Sequence, residues 1–176
     1  HGGCDAVLRR TETGDPDFAN PALPDWPEAD FIIGNPPFIG GKDIRSALGG
    51  DYAEALWKAN PRVPPSADFV MHRWDRAAHI HVSEGSRLIR FGFVTTNSIT
   101  QTFSRRVIAG YLAESPSSPL SLVLAIPDHP WTKATKDAAA VRIAMTVAAR
   151  GRAEGRLIRI VHEAALDTDR PVLGES

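Results

Sequence analysis

Cysteine is almost missing from this chain. Cys4 stands alone among 176 residues, which excludes an internal disulfide framework and suits a reducing, cytoplasmic setting. Long apolar runs are missing too. None reaches the roughly 18–20 residues of a membrane span, and no charged-then-apolar leader is expected. An excess of either charge is also absent: 20 Lys and Arg against 21 Asp and Glu leave a net −1, so there is no global electrostatic footprint for nucleic acid. Charge is uneven nonetheless, acidic over residues 1–60 and basic from Arg62 to Arg106. Arginine outnumbers lysine, which suits phosphate contacts, although a coding preference for arginine accounts for the same excess. There is no Ser-His-Asp set, no Walker-type phosphate loop and no zinc-deaminase signature. His72, His79 and His81 fall close together, but two histidines on one helix face without a cysteine pair do not close a zinc site. No metal is expected.

What is present is ordinary in bulk, 43% hydrophobic and 23% charged, enough for one globular core. The order of apolar patterns is informative. Phe31–Gly34 reads as a strand, with three consecutive β-favouring apolar residues suited to a central parallel position covered on both faces. Gly40-Gly41 and Gly49-Gly50 frame a mobile segment, and Tyr52–Ala59 predicts a short helix ending before Pro61. Ala67–Val82 is the clearest helix, with Phe69, Val70, Trp74, Ala77 and Ala78 on one face and Ser66 as its N-cap. Arg90–Thr96 alternates as a second strand. Ser98–Gln101 fits a capping box for a helix running to about Ala113. Leu120–Ile126 and Ala139–Ala149 read as a strand pair, and Leu157–Val161 as a last strand. Periodicity gives an α/β fold.

One junction stands out. The strand at Phe31–Gly34 stops at Asn35-Pro36-Pro37-Phe38. Two prolines remove two backbone donors, so neither strand nor helix continues, and Asn35 is held extended by the proline after it. The product is a stiff loop at the carboxyl end of a strand, where ligands bind in open α/β sheets. The Asn35 side-chain carbonyl and the Pro36 backbone carbonyl are two acceptors able to hold both hydrogens of one planar amino group. Phe38 offers a flat apolar face for a heteroaromatic ring. The exocyclic amine of adenine or cytosine has these properties. A loop asparagine capping its own backbone, prolines that merely stiffen, and a phenylalanine packed in the core are the plainer alternatives.

Asn-Pro-Pro-Phe resembles the catalytic motif of the amino-group DNA methyltransferases, and also the Asn-Pro-Pro-Tyr loop of protein-glutamine methyltransferases. Further segments follow in order: Ile33–Lys42, then Gly92–Ile99, then Ile126–Trp131, then Ala139–Met145. This series resembles the methyltransferase part of MmeI-like (type IIL) restriction–modification proteins, over roughly residues 24–165. The resemblance implies a partial Rossmann-like class I methyltransferase fold: the later strands of a seven-stranded sheet, with a terminal antiparallel pair. It implies S-adenosylmethionine as methyl donor, double-stranded DNA as partner and adenine N6 as target. The catalytic residues it implies are Asn35, Pro36, Pro37 and Phe38, with Asn35 also at the edge of the donor site. Phe38 and Trp131 would stack on a base extruded from the duplex. Lys42, Asn97 and His129 are candidates for cleft or DNA contacts; a solvated lysine, a loop histidine and, for Trp131, an exposed or domain-contact aromatic are the plainer readings. The family often carries tyrosine where Phe38 stands, so stacking is retained and a hydroxyl hydrogen bond is not.

No strand–glycine-rich turn–helix unit precedes Asn35, although a donor site in this fold needs one. The expectation is therefore a loop-rich segment over 1–29, the later half of a catalytic domain over 30–165 and a loose tail over 166–176. The remainder of a parent polypeptide would supply the donor-binding half and a target-recognition region, and these residues alone would be inactive. A protein-glutamine methyltransferase and a non-catalytic DNA-binding remnant of the same fold are the alternatives.

Overall fold

The computed structural model describes residues 7–10, 16–112, 120–131, 142–162 and 172–175. Strands β1 (Val7–Arg10) and β2 (Pro16–Ala22) pair as an antiparallel ribbon. This lies in the segment expected to be loop-rich. Pro16 opens its strand, and a two-stranded ribbon leaves each strand one free edge, where a missing donor is tolerated. Then follow β3 (Phe31–Gly34), α1 (Ile44–Leu48), α2 (Gly50–Ala59), α3 (Val70–Val82), β4 (Arg90–Thr96), a 3-10 turn (Asn97–Thr100) and α4 (Thr102–Leu112). Strands β5 (Leu120–Pro130), β6 (Arg142–Arg150), β7 (Arg156–His162) and β8 (Val172–Glu175) complete the order.

The sheet runs β3-β4-β6-β5-β7-β8. β3 and β4 are parallel, with Gly34 opposite Phe93. β6 is antiparallel to both its neighbours, β4 and β5. β4 and β5 therefore point the same way although they do not touch. The insertion of β6 between them is the terminal antiparallel pairing expected for the partial Rossmann-like fold. Within the span expected as a loose tail, β8 pairs antiparallel with β7.

One face of the sheet is built on register. Ile32 lies opposite Phe91, Phe91 opposite Ala148, Phe93 opposite Thr146 and Thr95 opposite Ala144. Of these, Phe91, Phe93, Ala144 and Ala148 meet Trp74, Ala77 and Ala78 of α3, and Val107 and Ile108 of α4, in one buried cluster, with Ile32 packed against it. Trp74 packs edge-on against Phe91 at 5.3 Å and donates its indole N–H to Thr146 Oγ1 at 3.3 Å. Burying so large a ring needs a partner for its one polar atom.

Four expectations change. β3 is the outermost strand, not a central one, and Phe31 and Ile33 are 58% and 89% exposed; its apolar run lies on an uncovered edge of the sheet. The glycine-framed segment holds a short helix, and Gly49, at φ 88°, makes the turn from α1 into α2. Ser66 does not cap α3. The chain turns tightly after Pro64, the helix begins at Val70, and Asp68 Oδ1 accepts the Val70 N–H at 3.2 Å. Ser98 does not cap α4 either: it lies in the 3-10 turn and donates to Asp68, and α4 starts only at Thr102. No helix among the described residues is long and apolar enough to cross a membrane.

Candidate active site

The strand directions gather the candidate residues at one end of the sheet. Asn35 follows β3, Asn97 follows β4, and His129 and Trp131 lie at the end of β5. Across the sheet, Thr96 aligns with Ile143 and Ile143 with His129. All three loops therefore leave from the carboxyl edge of the parallel strands. They are not equally close. β3 and β4 are neighbours, whereas β5 lies three strand positions from β3, about 14 Å at the usual spacing. Phe38 and Trp131 share an edge without sharing a strand junction.

The Asn35 loop is tightly held behind and open in front. Gly34 sits so close to the Phe93 ring that a β-carbon there would lie 3.1 Å from it. Pro36 is buried, Phe38 is half-buried, and Asn35 and Pro37 are exposed. The loop is then bolted to the approach to α3. The Ile39 carbonyl accepts the Phe69 N–H at 2.9 Å, and both side chains join the cluster of Ile44, Ala53 and Leu56 beneath α1 and α2. Gly41 packs directly on the Ser66 carbonyl, where a β-carbon would come within 2.4 Å. Lys42, next to it, is exposed.

The second loop is held by a carboxylate. Asp68 is 5% exposed, and its Oδ2 accepts from Thr96 Oγ1 and Ser98 Oγ, each at 2.9 Å. The two hydroxyls also touch each other. The Asp68 N–H donates to Ser104 Oγ of α4 at 3.3 Å. Asn97, between the two hydroxyl residues, is exposed, and its carbonyl accepts from Thr100 Oγ1 at 2.8 Å. Sequence reasoning missed Asp68. An aspartate just ahead of an apolar helical face is a recognisable start signal, but its partners lie 28 and 30 residues away.

The end of β5 carries a bulge. Ile126 aligns with Met145 but His129 with Ile143, so Pro127-Asp128 accommodates one extra residue. Asp128 pairs with Arg142 across the strands. His129 is half-buried, its Nδ1 2.7 Å from the Pro130 carbonyl, and Trp131 is 42% exposed.

Behind these loops α3 is pinned to α4. Arg62 meets the buried Asp75 with two hydrogen bonds, at 3.0 and 2.7 Å, and Tyr111 donates to the same carboxylate at 2.7 Å. The hydrogen bond to Asp75 raises the Arg62 pKa. Burial, then the bond to Asp75, raises that of Tyr111. Burial pushes His72 down to about 4, against a weaker pull from Asp75. Neither ring nitrogen of His72 has a hydrogen-bond partner, so it is a neutral core imidazole. No cluster of metal-ligating side chains exists among the described residues.

Two comparisons bear on this arrangement. A family described as "MmeI, DNA-methyltransferase domain" matches residues 6–159. A solved structure of the type IIL restriction–modification enzyme MmeI in complex with DNA superposes with a TM-score of 0.50 at 21% identity, covering 83% of this chain. That likeness speaks for the fold. The present chain spans 18% of that enzyme's chain. Among curated proteins none matches. The family match runs over most of the chain, from β1 through the Asn35 loop to β7, and the chain belongs to the MmeI DNA-methyltransferase domain family.

Proposed function

We propose that this chain is the base-handling part of an adenine-N6 DNA methyltransferase that uses S-adenosylmethionine, within a cytoplasmic restriction–modification protein. The observation that carries the proposal is the Asn35-Pro36-Pro37-Phe38 loop, with Asn35 exposed and Phe38 half-buried, at the carboxyl edge of a parallel strand pair whose other strand leads into the Asn97 turn. The described residues do not enclose a donor. An open hollow of about 350 Å³, lined by Trp26, Glu28, Arg76 and Arg87 among others, lies at the opposite edge. The donor site is proposed to be completed by the rest of the parent polypeptide, which would also cover the bare outer strand at Phe31 and Ile33.

The donor supplies an electrophilic methyl group; the chemistry of this chain is to present the nitrogen. An adenine amine inside a duplex is inaccessible, so the nucleotide is extruded, at a cost of a few kcal/mol. Stacking on Phe38 recovers on the order of 1–3 kcal/mol. Asn35 Oδ1 and the Pro36 carbonyl accept the two amine hydrogens. That returns electron density to a nitrogen whose lone pair is otherwise delocalised into the ring. As the nitrogen gains positive charge, both acceptors hold it more strongly than before. Orientation, not a strong general base, provides most of the gain. Trp131 is proposed as a second stacking wall. Lys42, Asn97 and His129 are proposed as cleft or phosphate contacts.

The test is methyl transfer from labelled donor by the full-length parent protein, offered duplex DNA and, separately, a protein-glutamine acceptor. Label recovered on adenine N6 is expected. Label on glutamine, or on neither acceptor, would overturn the proposal.

A further inference from the structure

Asp68 joins the two loops of the proposed site without facing it. Its carboxylate accepts three hydrogen bonds: the Thr96 and Ser98 hydroxyls on Oδ2, and the Val70 N–H on Oδ1. Thr96 ends β4 and Ser98 belongs to the turn that carries Asn97. On the other side, the residues flanking Asp68 clamp the Asn35 loop by backbone contacts that do not involve the Asp68 side chain, with Phe69 and Ile39 also packed in one apolar cluster. Phe69 N–H holds the Ile39 carbonyl, and the Ser66 carbonyl leaves room only for glycine at position 41. Four consecutive residues, Ser66 to Phe69, thus touch both loops and, through Ser104, the first turn of α4. A buried polar group must be hydrogen-bonded, and two of the three donors that satisfy this carboxylate, Thr96 and Ser98, belong to the β4 loop.

We infer that Asp68 is a positioning residue that sets the distance between the Asn35-Pro36-Pro37-Phe38 loop and the Asn97 turn. This rests on the functional proposal above for its catalytic consequence, but its geometry stands apart from it. The Ser66–Phe69 segment is fixed to the first loop through the main chain. The Asp68 side chain carries that fixation to the second. Loss of the carboxylate leaves the hydroxyls of Thr96 and Ser98 to seek other acceptors, and the Asn97 turn moves independently of Phe38. Small misplacement of positioning groups is costly for a reaction that depends on alignment, on the order of 100-fold for about 1 Å.

The experiment uses the full-length parent protein with Asp68→Ala, Thr96→Val and Thr96→Ser. Thr96→Val removes one hydroxyl donor while leaving Val70 capped by Asp68. Single-turnover methylation per folded molecule is expected to fall about 10- to 100-fold in Asp68→Ala, less in Thr96→Val, and to stay near wild type in Thr96→Ser. DNA affinity changes little in all three. Hydrogen exchange gives a second readout that does not depend on activity: amides of residues 97–101 should lose protection in Asp68→Ala, while those of residues 38–41, held by the main chain of Ser66–Phe69, keep theirs. A turnover loss that merely follows the unfolded fraction would overturn the inference, as would Thr96→Ser behaving like Thr96→Val. Deprotection confined to Val70 and its helix would overturn it even for a parent protein that does not methylate DNA. Absence of transfer by the wild type would count against the functional proposal and leave the exchange result to decide this one.

Discussion

The two edges of the sheet use their polar residues in opposite ways. At the amino edge, charges satisfy each other in the open: Asp30 pairs with Arg87 at 3.2 Å, both exposed, beside the hollow lined by Glu28, Arg76 and Arg87. At the carboxyl edge, Asp128 and Arg142 pair in the open at the end of β5, but on the β3 and β4 side the carboxylate is buried: Asp68 is held by the half-buried Thr96 and Ser98. There Asn35, Lys42 and Asn97 are left facing solvent. The first edge spends its polar groups on itself. The second holds a few exposed groups on a rigid support, which is what recognition of a planar amine requires. The larger hollow is thus a poorer guide to function than the stiffer loop.

The largest effect should come from the support shared by both edges. Trp74→Ala removes a fully buried ring that touches Phe91 and bonds Thr146. It should cost about 3–5 kcal/mol, read as a lower midpoint in chemical unfolding. A loss below about 1 kcal/mol would mean the sheet is held some other way. Next comes Phe38→Ala. It should weaken capture of an extruded base by about 1–3 kcal/mol, read as reduced fluorescence change from a 2-aminopurine target, with unfolding barely altered. An unchanged fluorescence response would remove Phe38 from the site and blur the contrast between the edges.

The pH dependence is smaller and its sign is fixed. His72 stays neutral in the fold down to about 4, against an unfolded value of 6.5. Between those values the unfolded chain binds the extra proton, so stability falls as pH drops from about 6.5 towards 4 and levels off below. The slope from one such group is at most about 1.4 kcal/mol per pH unit. Burial lowers His79 and His81 in the same direction. His72→Leu should flatten the slope between pH 6.5 and 4 by about one proton; an unaltered slope would show that other groups carry it. The smallest effect is expected at the amino edge. Asp30→Asn breaks an exposed pair worth about 0–1 kcal/mol and should leave methyl transfer unchanged. A marked loss of transfer would make the amino edge part of the site.

Much of this was legible in the sequence where the signal is local. The Asn35-Pro36-Pro37 stop, the span of β4 and the apolar face of α3 follow from propensity and period. The boundaries that moved have two causes. Ser66 looks like a cap but yields that role to Asp68, two residues on, which engages Val70; Ser98 looks like a cap but bonds Asp68 across the fold. The apolar run of Phe31, Ile32 and Ile33 reads as central because hydropathy cannot tell a strand covered by this chain from one left bare by it. The bulge at Pro127-Asp128 and the ribbon of β1 with β2 depend on pairing register, which periodicity does not specify.

The central claim is that Asn35 acts on the amine, not on DNA binding. Its most direct test is Asn35→Ala in the full-length parent protein, comparing single-turnover methylation with affinity for the same duplex. Turnover should fall roughly 100- to 1,000-fold, as when one preorganised stabilising group is removed, while affinity stays within about threefold, under roughly 1 kcal/mol. Equal losses in both, or turnover left intact, would contradict the account.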